Sequence, residues 1–333
     1  MRGGGFATCC QTRAWPRVLT MMDAAPVATL RAYLSATPRL EEPDVCRSLS
    51  VFPLLGAGTA PAIVTASRRA ESTIVVRELP DGAVVNRVRI DNLGDTPVLL
   101  YEGQELRGAR QDRIVERSVL VPPGSSLDVS VLCVEEKRWD ARRAHEAFSP
   151  GDRIAGAQLR TTMSRARSTG ASIGQTQDLA WSHVRERVSS HRTPTPTMSL
   201  SHVFDARAEL LENVAARIPV RPRQIGALVA VGGRFVSLDL VSSPVAWSEL
   251  HRPLLAGHAL DALERPNEAP STPSMRDAAR VLSTILSCPV HGTSSAGAGL
   301  RVHAAAPGID VSAIVWRDVA VQLVAHLTCE ETP

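Results

Sequence analysis

The sequence predicts an α+β protein. An antiparallel, β-rich N-terminal half, a sandwich or a partly open barrel, packs with a helical and mixed α/β C-terminal half. Three observations carry this. Residues 49–136 hold seven short apolar or alternating runs separated by clusters of turn residues, the pattern of an antiparallel sheet. Residues 154–218 then change to apolar positions at helical spacing. From Ile225 onward, hairpin-like and helix-like segments alternate. The chain has 333 residues, 44% of them apolar, which is enough for a real core. With aromatics at 4%, that core must be built from Val, Leu, Ala and Ile.

The start, "MRGGGFATCCQTRAWPRVLTMMDAAP", is basic but has no apolar stretch behind it, so it does not read as a secretory signal. Met21 and Met22 immediately precede "APVATLRAYLSA", where Val27, Leu30 and Leu34 have helical spacing. Residues 1–21 are therefore expected to be a disordered tail or a mis-assigned start, and residues 22–48 a helix and arm. A core domain is expected over 49–265 and a C-terminal α/β extension packed on it over 266–333.

Seven strands are expected at "LSVFPLL", "AIVTA", "STIVVREL", "VVNRVRI", "TPVLLYE", "DRIVERSVLV" and "LDVSVLCVEE". "GAGTAP", "PDGA", "NLGD" and "PPGSS" supply the turns between them. Helices follow at "RIAGAQLRTTMSRARS" and "TQDLAWSHVRERVSSH", then "TPTPT" breaks the chain. A third helix runs through "SLSHVFDARAELLENVAARI", with Val203, Leu210, Leu211, Val214 and Ile218 on one stripe. "IGALVAVGGRFVSLDLV" is a hairpin turning at Gly232-Gly233, where a tight primed turn needs positive φ. Next come a helix at "PVAWSELHRPLLAGHALDALE" and a linker or long loop at "RPNEAPSTPS". A helix at "SMRDAARVLSTILS", a Gly/Ser-rich loop at "HGTSSAGAGL", strands at "LRVHAAA" and "VSAIVWR", and a last apolar segment "VAVQLVAHL" close the chain. No internal repeat is visible.

Composition excludes several function classes. The formal charge is only +3, too small to point to nucleic acid by itself. Arginines concentrate in one stretch, at Arg138, Arg142, Arg143, Arg153, Arg160, Arg165 and Arg167, but only Trp139 and Phe148 are interleaved with them. Base stacking would be poorly supplied; a solvated face, a loop that orders on a ligand or a protein-binding strip fits better. No apolar run approaches the roughly 18 residues of a membrane helix. The six cysteines form no CxxC pair and no pairing ladder, which reads as a reducing cytoplasm. The histidines lack HxH or HExxH spacing, so no metal site is expected, and no GxSxG elbow is present. Neither "VAVGGRFV" nor "SSAGAGL" ends as a phosphate loop does. No cofactor can be assigned.

The chemistry-bearing stretch is "VLLYEGQELRGARQDR", taken with "LDVSVLCVEEKRW". Both strands are apolar on both faces, and each ends in a carboxylate, Glu102 and Glu135. A carboxylate leaving a buried strand must be paired, and Arg107, Arg110, Arg113 and Arg138 are at hand. One reading is a pocket in which Glu102, Glu105 and Glu135 act as acid, base or ribose grip, and Arg110, Gln111, Arg113, Arg138 and Trp139 hold the ligand. The other is a salt-bridged hairpin base that fixes register. Cys133, among Val131, Leu132 and Val134, reads as a small buried hydrophobe.

The order "NLGDTPVLLYEGQELRGARQDRIVERSVLVPPGS" followed by "VSVLCVEEKRW" resembles the bacterial family of ADP-ribosylglycohydrolase- and rhodanese-phosphatase-associated proteins. That family's pattern runs through an "NxGDxPVLLLEGEEL" strand, a "GxKQNR"-like turn, "SxLVPPGS" and "SCVExGRW". "HVFDARAELLENV", "QIGALVAVGGRFVSLDLV" and "LLAGHALDAL" are similar to further segments, so the resemblance covers most of the chain from Leu49. Departures are Gln104 for glutamate, Arg110 for lysine, Asp112 for asparagine, and Glu136-Lys137 where a small residue is common. Asp112 puts in doubt any role that needs a neutral amide there. The resemblance implies no assigned activity. The gene neighbourhoods in the family's name suggest ADP-ribose or NAD-linked metabolism, hence an ADP-ribose-like or nucleotide ligand. The alternative is a non-enzymatic scaffold.

Overall fold

The computed structural model describes residues 25, 27–30, 38–58, 63–66, 73–80, 82, 84–143, 145–264 and 271–328. The expected tail 1–21, residues 22–24, 26 and 31–37 of the following helix and arm, Cys9, Cys10 and Cys329, and the first six residues of "RPNEAPSTPS" lie outside the described residues.

Strands β1 (Arg39–Leu40), β2 (Asp44–Cys46) and β3 (Leu49–Leu55) come first, followed by the short β4 (Val64–Thr65). Next are β5 (Ile74–Arg77), β6 (Arg87–Asn92), β7 (Val98–Leu100), β8 (Gln104–Gly108), β9 (Arg113–Val115), β10 (Val119–Val121), β11 (Ser125–Cys133) and β12 (Phe148–Ile154). Six of these close into a barrel in the order β11–β6–β5–β12–β8–β9. Its interior is aliphatic, with Val76, Val88, Ile90, Leu106, Val115 and Val131 around Phe148. The expected sandwich or partly open barrel is thus a closed barrel, which leaves none of these strands with an unpaired edge. Beside it, β10–β7–β4 form a three-stranded sheet, parallel only at β4–β7.

The single strand expected at "DRIVERSVLV" is two strands. β9 stays in the barrel, β10 leaves for the small sheet, and Glu116–Arg117–Ser118 is the corner between them. β8 and β12 were not expected. β8 is charged, and β12 contains Pro150 and Gly151, with an irregular register between Pro150 and Ile154. Proline demotes a run as a strand unless it sits at an edge or a bulge.

The helices are α1 (Ala157–Ser168), α2 (Ile173–Ser190), α3 (Leu200–Ala206) and α4 (Ala208–Arg217). α2 opens with a reciprocal capping box between Ser172 and Gln175. The third expected helix breaks into α3 and α4 at Arg207, where φ is −110° and ψ 6°; the Arg207 guanidinium donates to the His191 carbonyl. The hairpin β13 (Gln224–Val231) and β14 (Arg234–Val241) turns at Gly232-Gly233, both at positive φ, as expected.

α5 (Pro244–Leu263), α6 (Met275–Leu286) and strands β15 (Val290–Ala296), β16 (Gly299–Ala306), β17 (Ile309–Trp316) and β18 (Val319–Leu327) complete the chain. The Gly/Ser loop expected at "HGTSSAGAGL" is instead mostly strand, turning at Gly297 with φ 77°. There the backbone comes so close to the small sheet that a Cβ on Gly297 would meet the Leu120 carbonyl oxygen at 2.1 Å.

These strands join one antiparallel sheet, β1–β3–β13–β14–β18–β17–β16–β15 with β2 against β3, nine strands among the described residues. Alternate residues serve opposite faces. Leu49 and Val51 belong to the core shared with α5 and the barrel, and Phe52 and Leu54 to the core under α6. β13 is buried along its whole length because both its faces are covered.

Candidate functional site

The turn after β8 is built around the Asp112 carboxylate, whose Oδ1 accepts from the Gly108 amide at 2.9 Å and from Arg138 Nη2 at 3.0 Å. Just past the end of β11, Glu135 Oε2 accepts from the Asp112 amide at 3.1 Å and from Arg138 Nε at 2.6 Å. Arg138 Nη1 donates to the Ala109 carbonyl at 2.8 Å, and Gln111 Nε2 donates to the Glu135 carbonyl. One guanidinium thus ties the turn to the strand end. Burial alone would raise the Glu135 carboxyl; the bonds from Arg138 and the Asp112 amide overcome this and lower it.

Glu105 on β8 is the unusual member. It is buried, and its Oε1 lies 2.5 Å from Ser201 Oγ on α3, while that hydroxyl also lies 2.7 Å from Asp112 Oδ2. Among the described residues Glu105 Oε2 has no partner. It passes over Gly151, where a Cβ would come within 2.9 Å of it. Burial pushes the Glu105 carboxyl up to about 7, beyond what Ser201, Arg153 and Arg107 recover. A hydroxyl has one proton, so bonding to both carboxylates requires a proton on one of them. Glu105 is the carboxyl placed to carry it.

Around this pair, Arg107 and Arg153 hold the two oxygens of Asp205 at 3.1 and 2.6 Å. Arg110 lies over the Trp139 ring, 5.3 Å from its centre, and Trp139 is 44% exposed. Glu105, Gln111, Glu135 and Arg138 therefore come together, with Arg110 and Trp139 at the rim.

Two expected members have different partners. Arg113 is fully buried and donates to both oxygens of Glu78, at 2.9 and 3.0 Å, and to the Arg87 carbonyl at 3.0 Å. Glu102, in the turn after β7, lies 2.6 Å from His326 Nε2 of β18 and 3.8 Å from Arg167 of α1. Burial would raise this carboxyl, but His326 and Arg167 bring it down to about 2. Glu102 and Glu135 share no partner among the described contacts. Sequence reasoning missed Ser201, Asp205 and His326. "HVFDARAELLENV" had marked the neighbourhood of the first two, without a role.

A second buried network joins α1 to the large sheet. Arg160 Nη1 and Nη2 donate to Asp239 at 2.6 and 3.1 Å, and Tyr101 and Ser237 hydroxyls donate to it at 2.9 and 3.0 Å. Ser237, His258 and Asp239 are not a catalytic relay. The same His258 nitrogen, Nε2, faces Ser237 at 3.5 Å and Asp239 at 3.7 Å, whereas a relay needs one ring nitrogen for each. Ser237 is also fully buried. Among the described residues, no group of three or more His, Cys, Asp or Glu could hold a metal ion, and no helix is long and apolar enough to cross a membrane.

Neither a search of curated proteins nor one of solved structures finds a match to this chain. A family model does match, over residues 37–326, a span that includes the turn at Asp112, Glu135 and Ser201. The chain belongs to the family of the ARPP-1 domain, the ARG and Rhodanese-Phosphatase-superfamily-associated Protein domain.

Proposed function

We propose that the chain binds a small anionic ligand of the nucleotide or ADP-ribose class at the Glu105–Asp112–Glu135–Arg138 network. The observation that carries this reading is the buried Glu105, with one oxygen unpartnered among the described residues, its carboxyl raised by burial to about 7, and an arginine-rich rim of Arg107, Arg110 and Arg153. Arg110 supplies charge for a phosphoryl group and Trp139 a face for a base. Glu105 is the group able to give a proton, and Glu135, Gln111 and Arg138 fix the turn that presents them. Glu102 and Arg113 contribute from neighbouring networks. The working compartment in this reading is a reducing cytoplasm, in keeping with free thiols at Cys46, Cys133 and Cys288.

A second reading, a non-enzymatic scaffold, is favoured by where the bonds go. Arg138, Asp112, Gln111 and Glu135 spend most of them on backbone groups of their own turn, and Glu105 and Ser201 are buried. Thermal-shift titration with NAD, ADP-ribose and mononucleotides separates the two. A shift that W139A and R110A remove supports binding. No shift from any of them at millimolar ligand leaves the scaffold.

A further inference from the structure

We propose that the corner Glu116–Arg117–Ser118, together with Arg167 of α1 and Arg301 of β16, is a second anion site, built to take a phosphoryl group. It shares no residue with the network around Glu105.

The corner is where the chain leaves the barrel for the small sheet, so its carbonyls have no ladder partners. Two arginines from elsewhere take them: Arg167 Nη1 donates to the Glu116 carbonyl at 3.0 Å, and Arg301 Nη2 donates to the Ser118 carbonyl. Arg117 of the corner itself is the third cation. Two carboxylates balance them in part. Glu116 Oε1 lies 3.6 Å from Arg117 Nε, and Glu102, whose amide is bonded to Ser118 Oγ at 3.0 Å, lies 3.8 Å from Arg167.

Arg301 is only 6% exposed, and among the described residues no carboxylate lies within 4.0 Å of its guanidinium. Its donors reach only carbonyls, those of Ser118 and, at 3.4 Å, Ser295. The nearby Asp310 is bonded to Ser164 and Ser168 rather than to an arginine. His303 adds no charge: burial and then Arg301, Arg117 and Arg167 push its ring down to about 4, and it is bonded to Ser294.

Three guanidiniums thus face two carboxylates in a largely buried place. Burial, with Arg117 and Arg167 adding to it, brings Arg301 down to about 10 although Glu102 and Glu116 act the other way, and neither carboxylate touches its guanidinium. A buried charge without a counter-charge is strongly unfavourable, and a bound oxyanion removes the imbalance. His326, 2% exposed, holds Glu102 from the other side through Nε2, and among the described residues its Nδ1 has no partner. Guanidinium forks match phosphoryl oxygens in pairs. Arg117, with 40% of its side chain exposed, is the open side of the site.

The test is calorimetric titration of the intact protein with inorganic pyrophosphate at fixed ionic strength. Arg117→Gln and Arg301→Met are the site variants, and Arg89→Gln, at a half-exposed barrel residue paired with Asp128, is the control. The wild type and the Arg89 variant are expected to bind one equivalent at this site, the one that R110A leaves in place. Arg117→Gln should weaken binding by about tenfold or more, and Arg301→Met should abolish it. If Arg301→Met does not fold, the half-exposed Arg117 variant decides alone. No binding by the wild type at millimolar pyrophosphate, or unchanged binding by Arg117→Gln, overturns the proposal. Because W139A and R110A leave this site intact, loss of nucleotide binding in those variants speaks only to the other.

Discussion

The Ser201 hydroxyl lies 2.5 Å from Oε1 of Glu105 and 2.7 Å from Oδ2 of Asp112, yet burial outweighs that bond and pushes the Glu105 carboxyl up to about 7. That folded value lies above the ordinary glutamate value of 4.5. Between those values the folded state binds the proton more tightly than the unfolded one. Its contribution is therefore fully present below about 4.5 and is lost as pH rises through about 7. The gap between those values corresponds to roughly 3 kcal/mol at most. Urea unfolding at pH 5 and pH 8 should show the wild type losing stability over this window. Glu105→Gln, an isostere of the protonated acid, should flatten the dependence. A variant with the wild-type slope would mean that Glu105 is ionised throughout.

The Arg160–Asp239 pair is a tertiary clamp. Burial alone would raise the Asp239 carboxyl, but Arg160 and His258 hold it far below the usual range. Removing one partner leaves a buried charge unpaired, so Arg160→Met or Asp239→Asn should each cost about 3–5 kcal/mol. The double variant, with no unpaired charge left, should cost clearly less than the sum. Additive losses in a denaturation double-mutant cycle would show that the two residues are not coupled.

How much of this was legible in the sequence follows from distance along the chain. β3, β7 and β11 were readable because apolar runs bounded by Gly, Pro, Asn and Asp carry their own signal. Glu105, Gln111, Glu135 and Arg138 could be grouped because two neighbouring strand ends bring them close. Ser201 is 96 residues from Glu105, and Arg301 is 183 from Ser118, so no local pattern links either pair. β8 was hidden because Glu105 and Arg107 make it look like a loop, although their partners are supplied by α3 and its end. Glu102 was grouped with Glu135 because both end apolar strands, but β7 lies in the small sheet and β11 in the barrel. The closure of the barrel depends on β12, whose Pro150 and Gly151 argue locally against a strand.

Gly257 on α5 sets how closely that helix crosses the end of β12. A Cβ there would meet the Ile154 carbonyl oxygen at 2.3 Å and the Ala155 carbonyl carbon and Gly156 amide nitrogen at 2.8 Å. All three are backbone atoms, which cannot swing aside as a side chain can. Alanine is normally the better helix former by about 1 kcal/mol, so propensity predicts a gain. Overpacking of this kind costs about 1–3 kcal/mol or more. Gly257→Ala should therefore lower the thermal midpoint, and a raised midpoint would show that the helix can move away freely.

Cys133 lies at the end of β11, fully buried, with its amide bonded to Gln177 Oε1 at 2.8 Å. Burial pushes its thiol up to about 11, and the nearby Arg113 does not restore it. Thiolate is the reactive form, so at pH 7.5 this residue has neither the charge nor the access to react. Cys288 is half-buried on the C-terminal side of α6, and burial raises its thiol as well. Peptide mass mapping after iodoacetamide treatment should find Cys288 alkylated slowly in the native protein. Cys133 should stay unmodified until urea unfolds the barrel. Native labelling of Cys133 at the rate of Cys288 would mean that β11 opens at its Glu135 end, and that the Arg138 tie to Glu135 and Asp112 does not hold the turn closed.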